Sequence, residues 1–312
     1  MTLLACLPAE LRGPATTFTP LAASFSGAGV HRVEAAGQTL VLKIAAEGEP
    51  VEAWRRRLHI QRLAADAGLA PRIVHVDEAR RAVVSAFVVG PPVAALCADP
   101  RTREGALAQL ARTMRRVHAL PVPPDAEPKD PRAHLAELWS GLAPFALPAF
   151  VGDAVRRVLA DPAPAPERAK VLSHNDVHPM NLVHDGEGML LVDWDAAGPN
   201  DPFHDLATIS VFFRLDPPAC ARLLAAYDEA PIAPLPAGWA YSQRLVAAQC
   251  GAFFLQMSRD RGHAGASGSE TLDTTPALLE IYQRMRSGSL DPATAEGQWW
   301  FGLALVKASV AP

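Results

Sequence analysis

The 312-residue chain is 49% hydrophobic and 20% charged, with a formal net charge of −4. That size allows two lobes with separate cores. The charge argues against nonspecific nucleic-acid binding, since no basic run extends beyond Arg55-Arg56-Arg57.

The first elements read as strands around one helix. Leu21 to Phe25 is a short apolar run, followed by the small-residue loop Ser26-Gly27-Ala28-Gly29. An alternating segment, Val30 to Glu34, then leads through a turn at Ala35-Ala36-Gly37 to a second strand, Thr39 to Ile44. A glycine-bearing loop between strands lets the backbone approach phosphate oxygens, because no Cβ stands in the way. Alone, Gly27-x-Gly29 is a common turn, and no helix follows it as a dinucleotide fingerprint requires. Lys43 is a lone charge in an apolar strand, placed either to keep a sheet edge soluble or to grip phosphates.

Pro50 opens a helix that runs to Ala67 and stops at Gly68, with Val51, Trp54, Leu58, Leu63 and Ala67 along its buried face. Glu52 in its first turn complements the helix dipole. Ile73–Val76 and Ala82–Val89 read as a strand pair that ends at Gly90-Pro91-Pro92, a breaker suited to a lobe boundary. The expected division is therefore 1–90 and 91–312. Residues 1–90 carry 10 Lys/Arg against 8 Asp/Glu, and the remainder 19 against 25, a balance suited to phosphates in the first part and a cationic acceptor in the second.

Thr102 to Leu120 is helical by pattern, with Leu107, Leu110, Ala111 and Met114 on one face. Pro121–Pro131 reads as a loop, short helices follow around Leu135–Leu142 and Phe150–Leu159, and a second proline-rich crossing ends at Pro166. After residue 205 helices are expected at Leu206–Leu215, Pro218–Asp228, Gly238–Arg259, Thr275–Arg286 and Ala293–Val310. No apolar run approaches a membrane span, and no basic stretch leads into an apolar core at the N-terminus, so a cytoplasmic protein without a membrane partner is expected. Cys6, Cys97, Cys220 and Cys250 are far apart and read as reduced, buried thiols. His174 and His178 have helical metal-site spacing but lie in a loop with Pro179, which argues against zinc.

The most informative stretch runs from Val171 to Ala207. A short strand, Val171-Leu172, ends in Ser173-His174-Asn175-Asp176; Asn181 follows, then a hairpin turning at Asp185–Gly188, whose return strand delivers Asp193. Asp176, Asn181 and Asp193 thus sit at strand ends, where they can converge. Two carboxylates and an amide are all oxygen donors, which suits Mg²⁺ bridging phosphates. Phosphoryl transfer asks little more: one Asp orients or deprotonates the acceptor hydroxyl, and an Asn and a second Asp hold the metal. Strand and helix capping is the alternative use of such residues.

The spacing H-x-D-x-x-x-x-N at His174, Asp176 and Asn181, followed by a strand and Asp193, resembles the catalytic and metal-binding loops of protein-kinase-like enzymes. Val192-Asp193-Trp194-Asp195, Gly198, Asn200-Asp201-Pro202 and His204-Asp205-Leu206-Ala207 are more similar to the aminoglycoside phosphotransferase and choline/ethanolamine kinase superfamily. Protein kinases carry Asp-Phe-Gly where Asp193-Trp194-Asp195 stands.

The resemblance implies an α+β, protein-kinase-like fold: a small antiparallel-sheet N-lobe with one main helix for the nucleotide, and a larger, mostly helical C-lobe for catalysis and acceptor. It implies ATP- and Mg²⁺-dependent phosphorylation of a hydroxyl on a small molecule. A choline- or ethanolamine-like amino alcohol is favoured, with an aminoglycoside or a thiamine-type acceptor as alternatives. In that scheme Asp176 is the base or orienter, Asn181 and Asp193 are metal ligands, and Lys43 clamps phosphates beside Ser26, Gly27 and Gly29. Phe87 to Val89 offer hinge hydrogen bonds to adenine. Read from the residues themselves, His174 and Asp205 are structural or second-metal positions, with Asp205 placed to cap the helix that begins at Leu206, and Asp195 either supports a second metal or hydrogen-bonds its loop. The family's helix glutamate, expected near Arg56, is missing, which leaves Glu52 as the candidate partner of Lys43. That departure also admits a rival reading, a nucleotide-binding protein without turnover. For a quaternary ammonium, Trp139, Trp194, Trp239, Tyr241, Trp299 and Trp300 are stacking candidates, with core packing as the alternative for each.

Overall fold

The computed structural model describes residues 2–21 and 29–310. The apolar run Leu21–Phe25 beyond its first residue, together with Ser26 and Gly27, lies outside the described residues. The chain forms two compact units, Met1–Glu127 with Val171–Pro199, and Pro128–Lys170 with Asn200–Pro312.

In the first unit, β1 (Thr17–Pro20), β2 (Gly29–Ala35), β3 (Gln38–Ile44), β4 (Ile73–Asp77) and β5 (Ala82–Ala86) form an antiparallel sheet in the order β1-β2-β3-β5-β4. Ala36 and Gly37, at φ 49° and 74°, make the two-residue turn between β2 and β3, since turns with both central φ angles positive match the strands' twist. β3 is interior, with Lys43 opposite Val30 on one side and Val83 on the other, which removes the reading of Lys43 as an edge charge. Alternation along β3 sends Leu40 and Leu42 into a core with Cys6, Leu7, Leu11, Val33 and Val84. The opposite face is covered by α1 (Val51–Asp66), whose Trp54 and Leu58 pack on Val83. Lys43 lies on this helix-covered face, beside Trp54 and Leu58.

Gly90 follows the sheet. A Cβ there would stand 1.6 Å from the carbonyl oxygen of His184, so only glycine allows this approach. Next come α2 (Val93–Ala98) and α3 (Arg103–His118), whose buried Leu107, Leu110, Ala111 and Met114 match the expected stripe. The segment 171–199 completes the unit with β6 (Val171–Ser173) and the antiparallel hairpin β7 (Leu182–His184) and β8 (Met189–Leu191). At the hairpin turn Asp185 Oδ1 accepts from the N–H groups of Glu187 and Gly188 at 2.9 and 2.7 Å, while Gly186 takes φ 101°. β9 (Gly198–Asn200) pairs with β6.

The second unit is helical: α4 (Pro131–Leu142), α5 (Ala149–Ala160), α6 (Pro202–Phe212), α7 (Pro217–Asp228), α8 (Trp239–Asp260), α9 (Leu278–Arg286) and α10 (Ala295–Val310). Three of these helices start with Asp-Pro: the side chains of Asp130, Asp201 and Asp216 accept from backbone N–H groups of the first turn, with proline in the position that needs no donor. Asp205 therefore does not cap α6. Asp201 caps α6, and Asp205 lies inside that helix, fully buried. α8 and α10 pack closely where Gly251 and Gly302 meet; a Cβ on Gly251 would lie 2.6 Å from Val306 Cγ2. No helix among the described residues is long and apolar enough to cross a membrane. The protein is an α+β structure.

Candidate active site

Every residue of the site described next belongs to the first unit. β6 ends in a loop whose first member, His174, is fully buried. Its Nε2 lies 3.0 Å from the carbonyl of Val192, which can only accept, so that nitrogen carries the proton. The ring meets Trp194 edge-on at 4.8 Å. His174 thus ties the loop before Asp176 to the strand end before Asp193. Asn175 adds a second tie: at φ 64° its Nδ2 faces the carbonyls of Ser173, Ala196 and Gly198 at 3.2, 3.1 and 3.1 Å. Asn tolerates the left-handed region better than most side chains.

Asp176 and Asn181 are in direct contact. Asn181 Nδ2 donates to Asp176 Oδ2 at 2.7 Å and to the Asp176 carbonyl at 3.0 Å. On the other side His178 Nε2 lies 3.5 Å from Asp176 Oδ1. His178 Nδ1 accepts from the Met180 N–H at 3.2 Å, so it is Nε2 that presents a proton to the carboxylate. The Asp176 side chain keeps 43% of its surface, but the groups crowded around it dehydrate its inner side. That dehydration pushes the carboxyl up, and the facing His178, the nearby His174 and the Asn181 amide together outweigh it, so the acid is held below its ordinary value. At neutral pH it is a carboxylate.

The hairpin register brings the metal-type donors to one end. Leu182 pairs with Leu191, and the Val192 N–H donates to the Asn181 carbonyl at 2.9 Å, so Asn181 just precedes the hairpin and Asp193 just follows it. Asp193 sits at φ 63° and ψ 69°, a left-handed conformation that costs an Asp about 1 kcal/mol. Lys43 Nζ meets the resulting carboxylate: it lies 2.6 Å from Asp193 Oδ1 and 2.7 Å from Asp195 Oδ1. Asp195 Oδ1 is also 3.2 Å from Arg57 Nε, and Arg57 Nη2 reaches Glu49 Oε2 at 3.0 Å. Trp54, Leu58 and Val83 back this network, which leaves only about 10 Å³ of free volume. A larger cavity, about 540 Å³, opens between α1 and β4 at Arg62, Asp66, Arg72 and His75. It shares no residue with the carboxylates, so chemistry rather than volume locates the site.

The chain matches the model of the Phosphotransferase enzyme family over residues 17–241. It belongs to that family. Three solved structures share the protein-kinase-like fold. A choline/ethanolamine kinase family protein from Mesorhizobium loti is 22% identical, with 97% of this chain and 96% of that one covered and a TM-score of 0.61. The Plasmodium vivax ethanolamine kinase is 11% identical, covering 96% and 83%, at a TM-score of 0.63. A spectinomycin phosphotransferase in complex with ADP and spectinomycin is 14% identical, covering 94% and 93%, at a TM-score of 0.55. No curated protein sequence matches the chain.

Within this phosphotransferase the expected residues fall into distinct places. Lys43, Asp193 and Asp195 form one ion cluster, and Asp176 and Asn181 form a hydrogen-bonded pair. Glu52 does not meet Lys43: it points outward, 72% exposed, and pairs with Arg55 at 3.1 Å, because the first turn of α1 turns that side to solvent. Gly29 is not a loop residue but opens β2 opposite Ile44. The strand before the hinge ends at Ala86. The Phe87 N–H is already spent on the Thr39 carbonyl at 3.2 Å, its ring lies under the Arg32 guanidinium, and Val89 is 78% exposed. The residues that sequence reasoning missed are Arg57 and Glu49. A signal for Arg57 existed, since it stands between Trp54 and Leu58 on the buried stripe, where a free surface arginine has no reason to be.

Proposed function

We propose that the chain is an ATP- and Mg²⁺-dependent kinase that phosphorylates a hydroxyl of a small molecule in the cytoplasm, with a choline- or ethanolamine-like amino alcohol as acceptor. The observation that carries this reading is the 2.6 Å contact between Lys43 and Asp193, a phosphate-gripping cation beside a metal-type carboxylate, in a chain that also pairs Asp176 with Asn181. Residues 1–90 would hold the nucleotide and residues 91–312 the acceptor. The ADP bound in the spectinomycin phosphotransferase supports a nucleotide as the donor, and the acidic balance after residue 90 supports a cationic acceptor there.

Asp176, held ionised, accepts the proton of the acceptor hydroxyl and orients its oxygen. Lys43 neutralises phosphate charge. The donors fit Mg²⁺. Asn181 spends its Nδ2 on Asp176 and so keeps its amide oxygen for a cation, and Asp193 has its second oxygen beyond the Lys43 contact. Two protein oxygens leave the remaining positions to phosphate and water, as Mg²⁺ prefers, and among the described residues no group of three or more His, Cys, Asp or Glu is arranged to hold a metal. When bound, the ion would supply charge neutralisation at the phosphates.

The test is ADP release from MgATP with choline, ethanolamine, thiamine and aminoglycosides offered singly. Turnover on an amino alcohol that disappears in Asp176→Ala is the expected result. Nucleotide binding without turnover on any acceptor would replace the reading with that of a nucleotide-binding protein.

A further inference from the structure

We infer that Arg57 and Asp195 together position Lys43, replacing a helix carboxylate by an arrangement of opposite polarity: α1 contributes a cation, and the carboxylate comes from the turn after β8. The inference rests on the phosphotransferase reading of the same site. Lys43 has two carboxylate partners, and they are not equivalent. Asp193 is also the proposed metal carboxylate, so its oxygens are shared between two tasks. Asp195 holds Lys43 and Arg57 on the same Oδ1 and has no part in the proposed metal site, so its contact with the lysine is not shared with the metal.

The charges explain why an arginine is needed. Asp193 and Asp195 both approach one ammonium, leaving an excess of negative charge that repels the phosphates Lys43 is there to grip. Arg57 offsets it directly at Asp195 Oδ1; with Glu49 counted, the network of three carboxylates and two cations keeps one net negative charge, where two would remain without the arginine. Arg57 is in turn fixed by Glu49, whose backbone carbonyl accepts from the Arg81 guanidinium. The side chains of Glu49, Arg57, Asp195 and Lys43 are only 15–21% exposed, so the network is little screened by solvent. A glutamate on the helix is therefore unnecessary, and Glu52 is free to face solvent.

The experiment measures binding of MgATP and of adenosine to the full chain by calorimetry, with kcat and KM on the acceptor that supports turnover. Arg57→Ala should weaken MgATP binding on the order of tenfold while leaving adenosine, which has no phosphate, unchanged. Arg57→Lys, which restores the cation, should recover most of the loss. The decisive comparison is the double variant: Arg57→Ala added to Asp195→Asn should weaken MgATP binding little beyond Asp195→Asn alone, because Arg57 acts through Asp195. Wild-type affinity in Arg57→Ala, equal loss for adenosine, or a fully additive loss in the double variant overturns the inference. Failure of the wild-type chain to bind MgATP at all would instead remove the function reading beneath it.

Discussion

Asn175 should be among the most sensitive polar positions in the chain. Its Nδ2 faces three carbonyls, on both the loop that carries Asp176 and the turn that follows Asp193. Two N–H groups donating there are together worth about 2 kcal/mol at a net of about 1 kcal/mol per hydrogen bond. Alanine would add about 1 kcal/mol more for holding a non-glycine residue without Asn's tolerance at this φ of 64°. Asn175→Ala should thus destabilise the chain by about 3 kcal/mol. Asn175→Gly loses the bonds but relieves the backbone and should cost about 2 kcal/mol. Asn175→Asp keeps the shape and aims a carboxylate at carbonyl oxygens, so it should be at least as harmful as alanine. Urea denaturation gives the stabilities, and kcat should fall with them, because displacing Asp176 by about 1 Å is enough to cost on the order of a hundredfold. An alanine variant within about 0.5 kcal/mol of wild type, with kcat unchanged, would refute the claim that this side chain joins the two loops.

Asp176→Asn should lower kcat by about 10²- to 10⁴-fold at constant nucleotide affinity, measured by ADP release and calorimetry. The same residue has a pH signature. Its folded-state carboxyl is depressed, so its ionised form adds stability above the unfolded value, and that contribution is lost as pH falls through the folded value. The stability difference between wild type and Asp176→Asn in urea should therefore hold from neutrality down to the ordinary carboxylate range and shrink below it. Gly90→Ala must open a 1.6 Å clash with a backbone oxygen and should destabilise by about 1–3 kcal/mol, read as a lower thermal midpoint; an unchanged midpoint would contradict the contact with His184. Cys97, buried and with its thiol pushed up to about 11, should resist thiol reagents at pH 8 until the chain unfolds, as counted by labelled-peptide mass.

Much of this was legible in sequence where the physics is local. Alternation along Thr39–Ile44 separates Leu40 and Leu42 from Lys43, and the hairpin turn at Asp185–Gly188 fixes a register that brings Asn181 and Asp193 to one end. The same locality explains the misreadings. The pattern reads Pro121–Pro131 as a loop and starts a helix at Leu206, yet proline behind an Asp is the first residue of a helix, so α4 begins at Pro131, α6 begins at Pro202, and Asp205 moves from cap to buried interior. Glu52 is the only acid on α1 before Asp66, whereas the partners of Lys43 come from about 150 residues further along. Ion pairing between segments leaves no periodicity in either one. What it does leave is a local anomaly, a charge where the pattern calls for burial: Lys43 in an interior strand and Arg57 on an apolar helix stripe. Each anomaly carries an electrostatic cost that needs a counter-charge, and the two share one oxygen, Asp195 Oδ1, beside Asp193 for Lys43 and Glu49 for Arg57. Two misplaced cations in separate elements of one unit thus imply a shared carboxylate between them, and the acid-rich turn after β8 supplies it.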